Sequence, residues 1–196
     1  MSLVSTVGKS LSVAVVALLA LYPILVYAAI SRFGPSGVAG VLAAVCLARL
    51  VVLKRRGRPA FGGASLVLVC AGGILLAAVS YWRGSTVAVL YYPALVNAAL
   101  LVVFAASLFR PPSVVERIAR LSDPELPPAA VVYTRRVTLA WTVFFALNGA
   151  AALYTARFTP LETWALYNGL IAYLLIGALF AVELAIRSVV KRRFSS

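Results

Sequence analysis

Residues Thr86 to Phe109 read TVAVLYYPALVNAALLVVFAASLF, 24 positions without a single charge. At about 1.5 Å of rise per residue a helix of that length spans roughly 36 Å, enough to cross a hydrocarbon core about 30 Å thick. The stretch therefore reads as a transmembrane helix. Five more apolar runs flank it: Leu11 to Ile30, Pro35 to Leu53, Phe61 to Trp82, Val137 to Ala156 and Ala165 to Ile186. The composition agrees, since 63% of the 196 residues are hydrophobic and only 12% charged, with a mean hydropathy of +1.02. A water-soluble domain carries about twice that share of charge. The expectation is an all-α fold: one polytopic transmembrane domain of six helices over residues 1–196.

Positive charge orients the bundle, because cytoplasmic loops retain Lys and Arg. Fifteen of the eighteen basic residues fall on one side: Lys9, the Arg49 to Arg58 segment, Arg110 to Arg136, and Arg187 to Arg193. The other side holds only Arg32, Arg83 and Arg157. Both termini are expected in the cytoplasm, with the protein multi-pass in a bacterial inner membrane. A cleavable signal peptide ending near Val26-Tyr27-Ala28 is the rival reading of the first run, which is longer than a typical signal core.

The one long connection, Arg110 to Arg136, should carry a short amphipathic helix. Pro111 and Pro112 stop the preceding helix, Ser113 and Glu116 form an S-x-x-E capping box, and Pro124 ends the segment. Val114, Ile118 and Leu121 are expected to share its apolar face. Together with Arg117, Arg120, Arg135 and Arg136, this helix would sit in the headgroup region against anionic lipid or receive an acidic cytosolic partner.

The inventory excludes much chemistry. The chain has no His, which removes the usual general base and the commonest zinc and haem ligand. Asp123 and the glutamates Glu116, Glu125, Glu162 and Glu183 are scattered, so no paired-carboxylate metal site can be assembled. Cys46 and Cys70 lack metal-type spacing and read as small packing residues. No cofactor, metal, catalytic residue or nucleic-acid partner is implied.

Polar groups at membrane depth are costly and mark functional candidates. Glu183 is the main one; Arg187 one turn on, or Arg49 on the second run, would pair with it. Asn97, Asn148 and Asn168 read first as interhelical hydrogen-bonding residues and second as the lining of a polar cavity, together with tyrosines including Tyr91, Tyr92, Tyr167 and Tyr173. Ala39-x-x-x-Ala43 and Gly72-Gly73 permit close helix contact, while Trp82, Trp164 and Tyr154 read as interfacial anchors. Leu21-Tyr22-Pro23-Ile24-Leu25-Val26-Tyr27-Ala28-Ala29 matches Tyr91-Tyr92-Pro93-Ala94-Leu95-Val96-Asn97-Ala98-Ala99 at a shift of 70 residues, a sign of two inverted halves without a counterpart in the other helices.

The run Tyr133-Thr134-Arg135-Arg136-Val137-Thr138-Leu139-Ala140-Trp141-Thr142-Val143-Phe144-Phe145, followed by Asn148 and Tyr154-Thr155-Ala156, resembles the bacterial inner-membrane septation protein A family around Trp141. Tyr92-Pro93-x-x-Val96-Asn97, Val115-Glu116-Arg117-Ile118-Ala119-Arg120 and Glu183-x-x-x-Arg187 are similar to a related group of bacterial membrane proteins often encoded among fatty-acid-synthase-like genes for aryl polyene lipids. The resemblance implies an envelope-lipid setting with acyl carrier proteins nearby. The expected function is that of a non-enzymatic accessory protein of acyl-type envelope lipid synthesis or transfer, its partners membrane lipids and an acyl carrier protein or other lipid-synthesis proteins. The alternatives are a small proton-coupled transporter titrating Glu183 and an envelope-integrity or septation scaffold.

Overall fold

A computed structural model of the chain describes residues 63–85, 87–121 and 123–194, with residues 32, 37, 39–40, 42–47 and 49–51. The predicted first span and the first copy of the 70-residue match lie outside the described residues. All regular structure among the described residues is helical: α1 (Gly63–Arg83), α2 (Val87–Leu90), α3 (Tyr92–Phe109), α4 (Val114–Arg120), α5 (Pro128–Phe158), α6 (Leu161–Leu166), a π-helical turn (Tyr167–Ile171) and α7 (Ala172–Phe194). Residues 42–47 and 49–51 are helical as well.

Three segments among the described residues are long and apolar enough to cross a membrane: Val87–Phe109, Pro128–Phe158 and Leu161–Ile186. Their outer faces leave Leu147 and Val102 each 67% exposed and Leu174 63% exposed. Apolar surface of that extent is unstable in water and suits a lipid-facing wall. Inside, α3 packs mainly on α5, α1 on α3 and α4 on α5. Leu42, Cys46, Cys70, Val89 and Trp164 are fully buried at the centre of the core. The two cysteines are free thiols.

Gly72 and Gly73 set how closely α1 approaches its neighbours. A Cβ at Gly72 would come within 2.6 Å of the Leu95 side chain, and one at Gly73 within 2.7 Å of Cys46 Sγ and 2.9 Å of the Tyr92 ring. The end of Leu95 can move aside, but the Tyr92 ring and Cys46 hold the second position, so it is at Gly73 that this spacing requires glycine.

Pro93 has no N–H to donate, and the chain breaks at Tyr91 between α2 and α3. The Leu90 carbonyl at this break accepts from the Trp164 indole at 3.0 Å. Trp164 is thus a core residue and not the interfacial anchor its position at the end of an apolar run suggests. Its ring is large enough to fill the space beside the break, and its one donor satisfies a carbonyl there. Trp82 and Tyr154, read the same way, are exposed.

At the other end of α3, helix α4 is fastened through its own first amides. Val114 N–H donates to Ser107 Oγ at 3.1 Å, Val115 N–H to Thr138 Oγ1 at 3.3 Å and Glu116 N–H to Ser113 Oγ at 3.4 Å. Ser113 N–H in turn donates to Glu116 Oε2, completing the predicted capping box. Three hydroxyls from three elements thereby satisfy the orphan donors of a seven-residue helix too short to stand alone. This fastening splits the expected apolar face: Val114 is buried against the bundle, whereas Ile118 and Leu121 are exposed.

Helix α5 starts at Pro128, nine positions before the predicted span, because a proline costs no hydrogen bond in a first turn. At 31 residues, or roughly 46 Å, it outruns the hydrocarbon thickness. Arg135 and Arg136 lie exposed on that early part, within a helix and not in a loop.

Candidate functional site

Asn97 on α3 and Asn148 on α5 meet inside the bundle, both buried. Asn148 Nδ2 donates to Asn97 Oδ1 at 3.0 Å, and the Tyr167 hydroxyl donates to Asn148 Oδ1 at 2.9 Å. Asn97 Nδ2 turns back to the Pro93 carbonyl at 2.8 Å. One chain of hydrogen bonds therefore ties α3, α5 and the π-helical turn. Asn168, next in sequence to Tyr167, donates to Thr155 Oγ1 at 3.2 Å and to the Trp164 carbonyl at 2.9 Å. Adjacent residues of a regular α-helix point about 100° apart; at the π-helical turn, where Ala172 N–H reaches the Tyr167 carbonyl, both side chains contact α5. Such turns recur at functional sites.

In front of this network runs an apolar groove of about 520 Å³ between α1, α3 and α5. Gly72, Leu95, Ala98, Phe145, Gly149 and Leu153 are among its walls, and Tyr91 brings the one hydroxyl. Gly149 lies against the back of Asn97, where an added Cβ would stand 3.1 Å from the Asn97 Cβ. The groove's size is that of a small-molecule site, and its lining offers dispersion contact and almost no polarity. In sequence it is marked by Ala94-x-x-x-Ala98 and Ala146-x-x-x-Ala150, which put small side chains one turn apart on facing helices.

The remaining polar candidates lie elsewhere. Tyr92 packs against Cys46 and Gly73. Trp141 is buried in an aromatic cluster, with ring centroids 4.7 Å from Phe180 and 5.6 Å from Phe145. Glu183 is half-buried, and its backbone carbonyl accepts from the Tyr133 hydroxyl at 3.2 Å. It forms no ion pair with Arg49; the Arg187 side chain, its other predicted partner, lies outside the described residues. Tyr133 precedes Asn148 by fifteen residues, so Glu183 lies roughly 22 Å along α5 from the asparagines. The residues singled out from sequence thus occupy several stations, with Asn97, Asn148 and Tyr167 together at one of them.

Among the four arginines of the predicted partner surface, Arg120 is committed to its own loop. Its guanidinium donates to Glu116 Oε1 at 2.8 and 3.0 Å and to the Pro124 carbonyl at 2.9 Å. Arg117 is exposed while its Nε donates to the Pro112 carbonyl at 2.8 Å. Arg135 and Arg136 are exposed beside exposed Val132. No group of His, Cys, Asp and Glu able to hold a metal occurs among the described residues.

No protein-family model, no curated protein and no solved structure matches the chain.

Proposed function

We propose that the chain is a non-enzymatic accessory protein of acyl-type envelope lipid synthesis or transfer, spanning a bacterial inner membrane six times with both termini in the cytoplasm. The observation that carries this reading is the apolar groove between α1, α3 and α5. It accepts a flexible hydrocarbon chain and offers almost nothing to a polar solute. Behind it, the Asn97–Asn148–Tyr167 bonds hold the wall in one arrangement, so a ligand meets a preformed cleft at lower entropic cost.

The basic surface supplies the second half of the reading. Arg135 and Arg136, exposed on α5, stand where an acidic acyl carrier protein or an anionic headgroup would approach from the cytoplasm. Arg120 contributes less, its donors being used internally. The resemblance around Trp141 to septation protein A, and of the Tyr92 to Asn97 segment to proteins encoded with aryl polyene genes, points to the same setting.

A proton-coupled transporter is the weaker reading. It needs Glu183 to share a path with the asparagines, and the separation of about 22 Å along α5 leaves no direct relay between them.

The test is mass spectrometry of lipid retained by the full chain extracted in native-lipid nanodiscs, with Ala98→Phe and Ala150→Phe filling the groove. A specific acyl species lost from both variants is the expected result. Recovery of bulk phospholipid alone, unchanged by groove filling, overturns the proposal.

A further inference from the structure

The two ends of the apolar groove differ. Helices α3 and α5 run antiparallel: Asn97 meets Asn148 at 3.0 Å, and further along α3 the Phe104 ring meets Phe145, which lies earlier on α5. On that alignment Tyr91 and Leu153 stand at one end of the groove, and Leu101 and Phe145 at the other. From Tyr91, the N-cap of α3, to Leu101 the helix rises about 15 Å, which is the length of the groove.

The Tyr91 end carries a hydroxyl and lies at the break between α2 and α3, close to the start of the apolar segment Val87–Phe109. The Phe145 end lies inside the bundle. Phe145 is 7% exposed, and its ring is packed edge-on against Phe104 at 5.0 Å and Phe144 at 5.7 Å between centroids, and tilted against Trp141 at 5.6 Å. Trp141 is packed in turn on Phe180 at 4.7 Å. A ring held by three others cannot swing aside without losing those contacts. A flexible chain lying in the groove with its polar head at the Tyr91 end therefore meets the Phe145 ring as a wall.

We infer that Phe145 is the specificity-determining residue of the groove and sets the length of acyl chain that the protein holds. An extended chain advances about 1.2 Å per bond, so the groove accommodates about twelve carbons between the head and the Phe145 ring. The inference rests on the acyl-chain reading of the groove and names which chain it takes. The head lies at the end of the groove away from Arg135 and Arg136, which stand roughly 20 Å beyond the asparagines in the other direction along α5. The ligand therefore enters as a free lipid, because a chain presented from the arginine end would have to pass the aromatic layer.

The experiment uses the full chain in phosphatidylcholine nanodiscs loaded with one straight-chain fatty acid at a time, from octanoic to eicosanoic acid. Native mass spectrometry reads the acid retained on the protein relative to the acid in the disc. For the wild type this ratio should rise with chain length and level off near dodecanoic acid. Phe145→Ala opens the space up to the next ring, that of Phe104 at 5.0 Å, so the plateau should begin about four carbons later. Phe145→Leu should move it in the same direction by less. Ala146→Leu adds bulk beside the stop at an exposed position that tolerates it, and should move the plateau to shorter acids. Leu147→Ala, on the outward face of α5, should leave it in place. A ratio that climbs steadily to eicosanoic acid in the wild type, or a plateau at the same acid in wild type, Phe145→Leu and Ala146→Leu, overturns the inference while leaving the groove an acyl site. Failure of the underlying reading is distinct and takes this inference with it: the wild type retains no acid, or Ala98→Phe leaves the retention of every acid unchanged.

Discussion

Asn148 is the centre of the buried network, and replacing it by Leu tests the network most directly. The substitution keeps the volume and removes two interhelical bonds, one to Asn97 Oδ1 at 3.0 Å and one from the Tyr167 hydroxyl at 2.9 Å. Interhelical hydrogen bonds in membranes average about 0.6 kcal/mol and reach about 1.7, so the two together are worth roughly 1 to 3 kcal/mol. Asn97 keeps its own donation to the Pro93 carbonyl and loses only the approaching amide, which places the expected loss toward the lower end. The assay is reversible unfolding in mixed micelles for wild type, Asn148→Leu, Tyr167→Phe and the double variant. The coupling between Asn148 and Tyr167 should be about 0.6 kcal/mol. Additive single effects, with no coupling beyond about 0.2 kcal/mol, would refute the idea that these side chains act as one connection.

Further outcomes follow from other contacts. Gly73→Ala should destabilise by roughly 1 to 3 kcal/mol, because its Cβ meets the rigid Tyr92 ring as well as Cys46; Gly72→Ala, which meets only the flexible end of Leu95, should cost less in the same unfolding assay. Trp164→Phe keeps a ring in the core but leaves the Leu90 carbonyl without its indole donor, a loss of about 1 to 3 kcal/mol. Thr138→Val should loosen α4, read as faster amide exchange across Val114–Arg120, since Val115 N–H loses its acceptor. Binding of an acyl carrier protein, followed by titration at rising salt, should weaken with Arg135→Glu/Arg136→Glu and fall with ionic strength; salt-independent binding would count against a charged docking face.

The helical class and the individual apolar segments are legible because hydropathy reports where backbone must satisfy itself. The Thr86 to Phe109 stretch differs by one residue from the segment Val87–Phe109. The capping box at Ser113 and Glu116 is legible for a similar reason, as its geometry is local. What fails is long-range. Nothing in the spacing of Trp164 tells that its indole reaches the Leu90 carbonyl at the break before α3. The early start of α5 is missed because two arginines mark the edge of an apolar run, and a helix has no reason to end where the hydrocarbon does. The split of Val114 from Ile118 and Leu121 arises because two of the hydroxyls that fix α4, Ser107 and Thr138, belong to α3 and α5. Pairing of the asparagines is half legible: their membrane depth announces that they need partners, but the choice of Asn148 for Asn97 and of Thr155 for Asn168 depends on how the helices cross.

The distribution of these polar groups bears on mechanism. A proton or ion path requires polar side chains in continuous succession across the bundle, whereas among the described residues the candidate polar groups lie in separate clusters. Asn97, Asn148 and Tyr167 satisfy one another, Asn168 is closed by Thr155 and the Trp164 carbonyl, and Trp141 separates this region from Glu183 with an aromatic layer that includes Phe145 and Phe180. Water in that layer would find almost no hydrogen-bond partners. The apolar groove instead opens beside small residues on α3 and α5. An acyl chain gains dispersion contact along such a surface without breaking any polar bond. An Arg49→Gln or Asn148→Leu variant that abolished proton flux in liposomes, with lipid retention untouched, would reverse this preference, because it would require a continuous wet path that the aromatic layer interrupts.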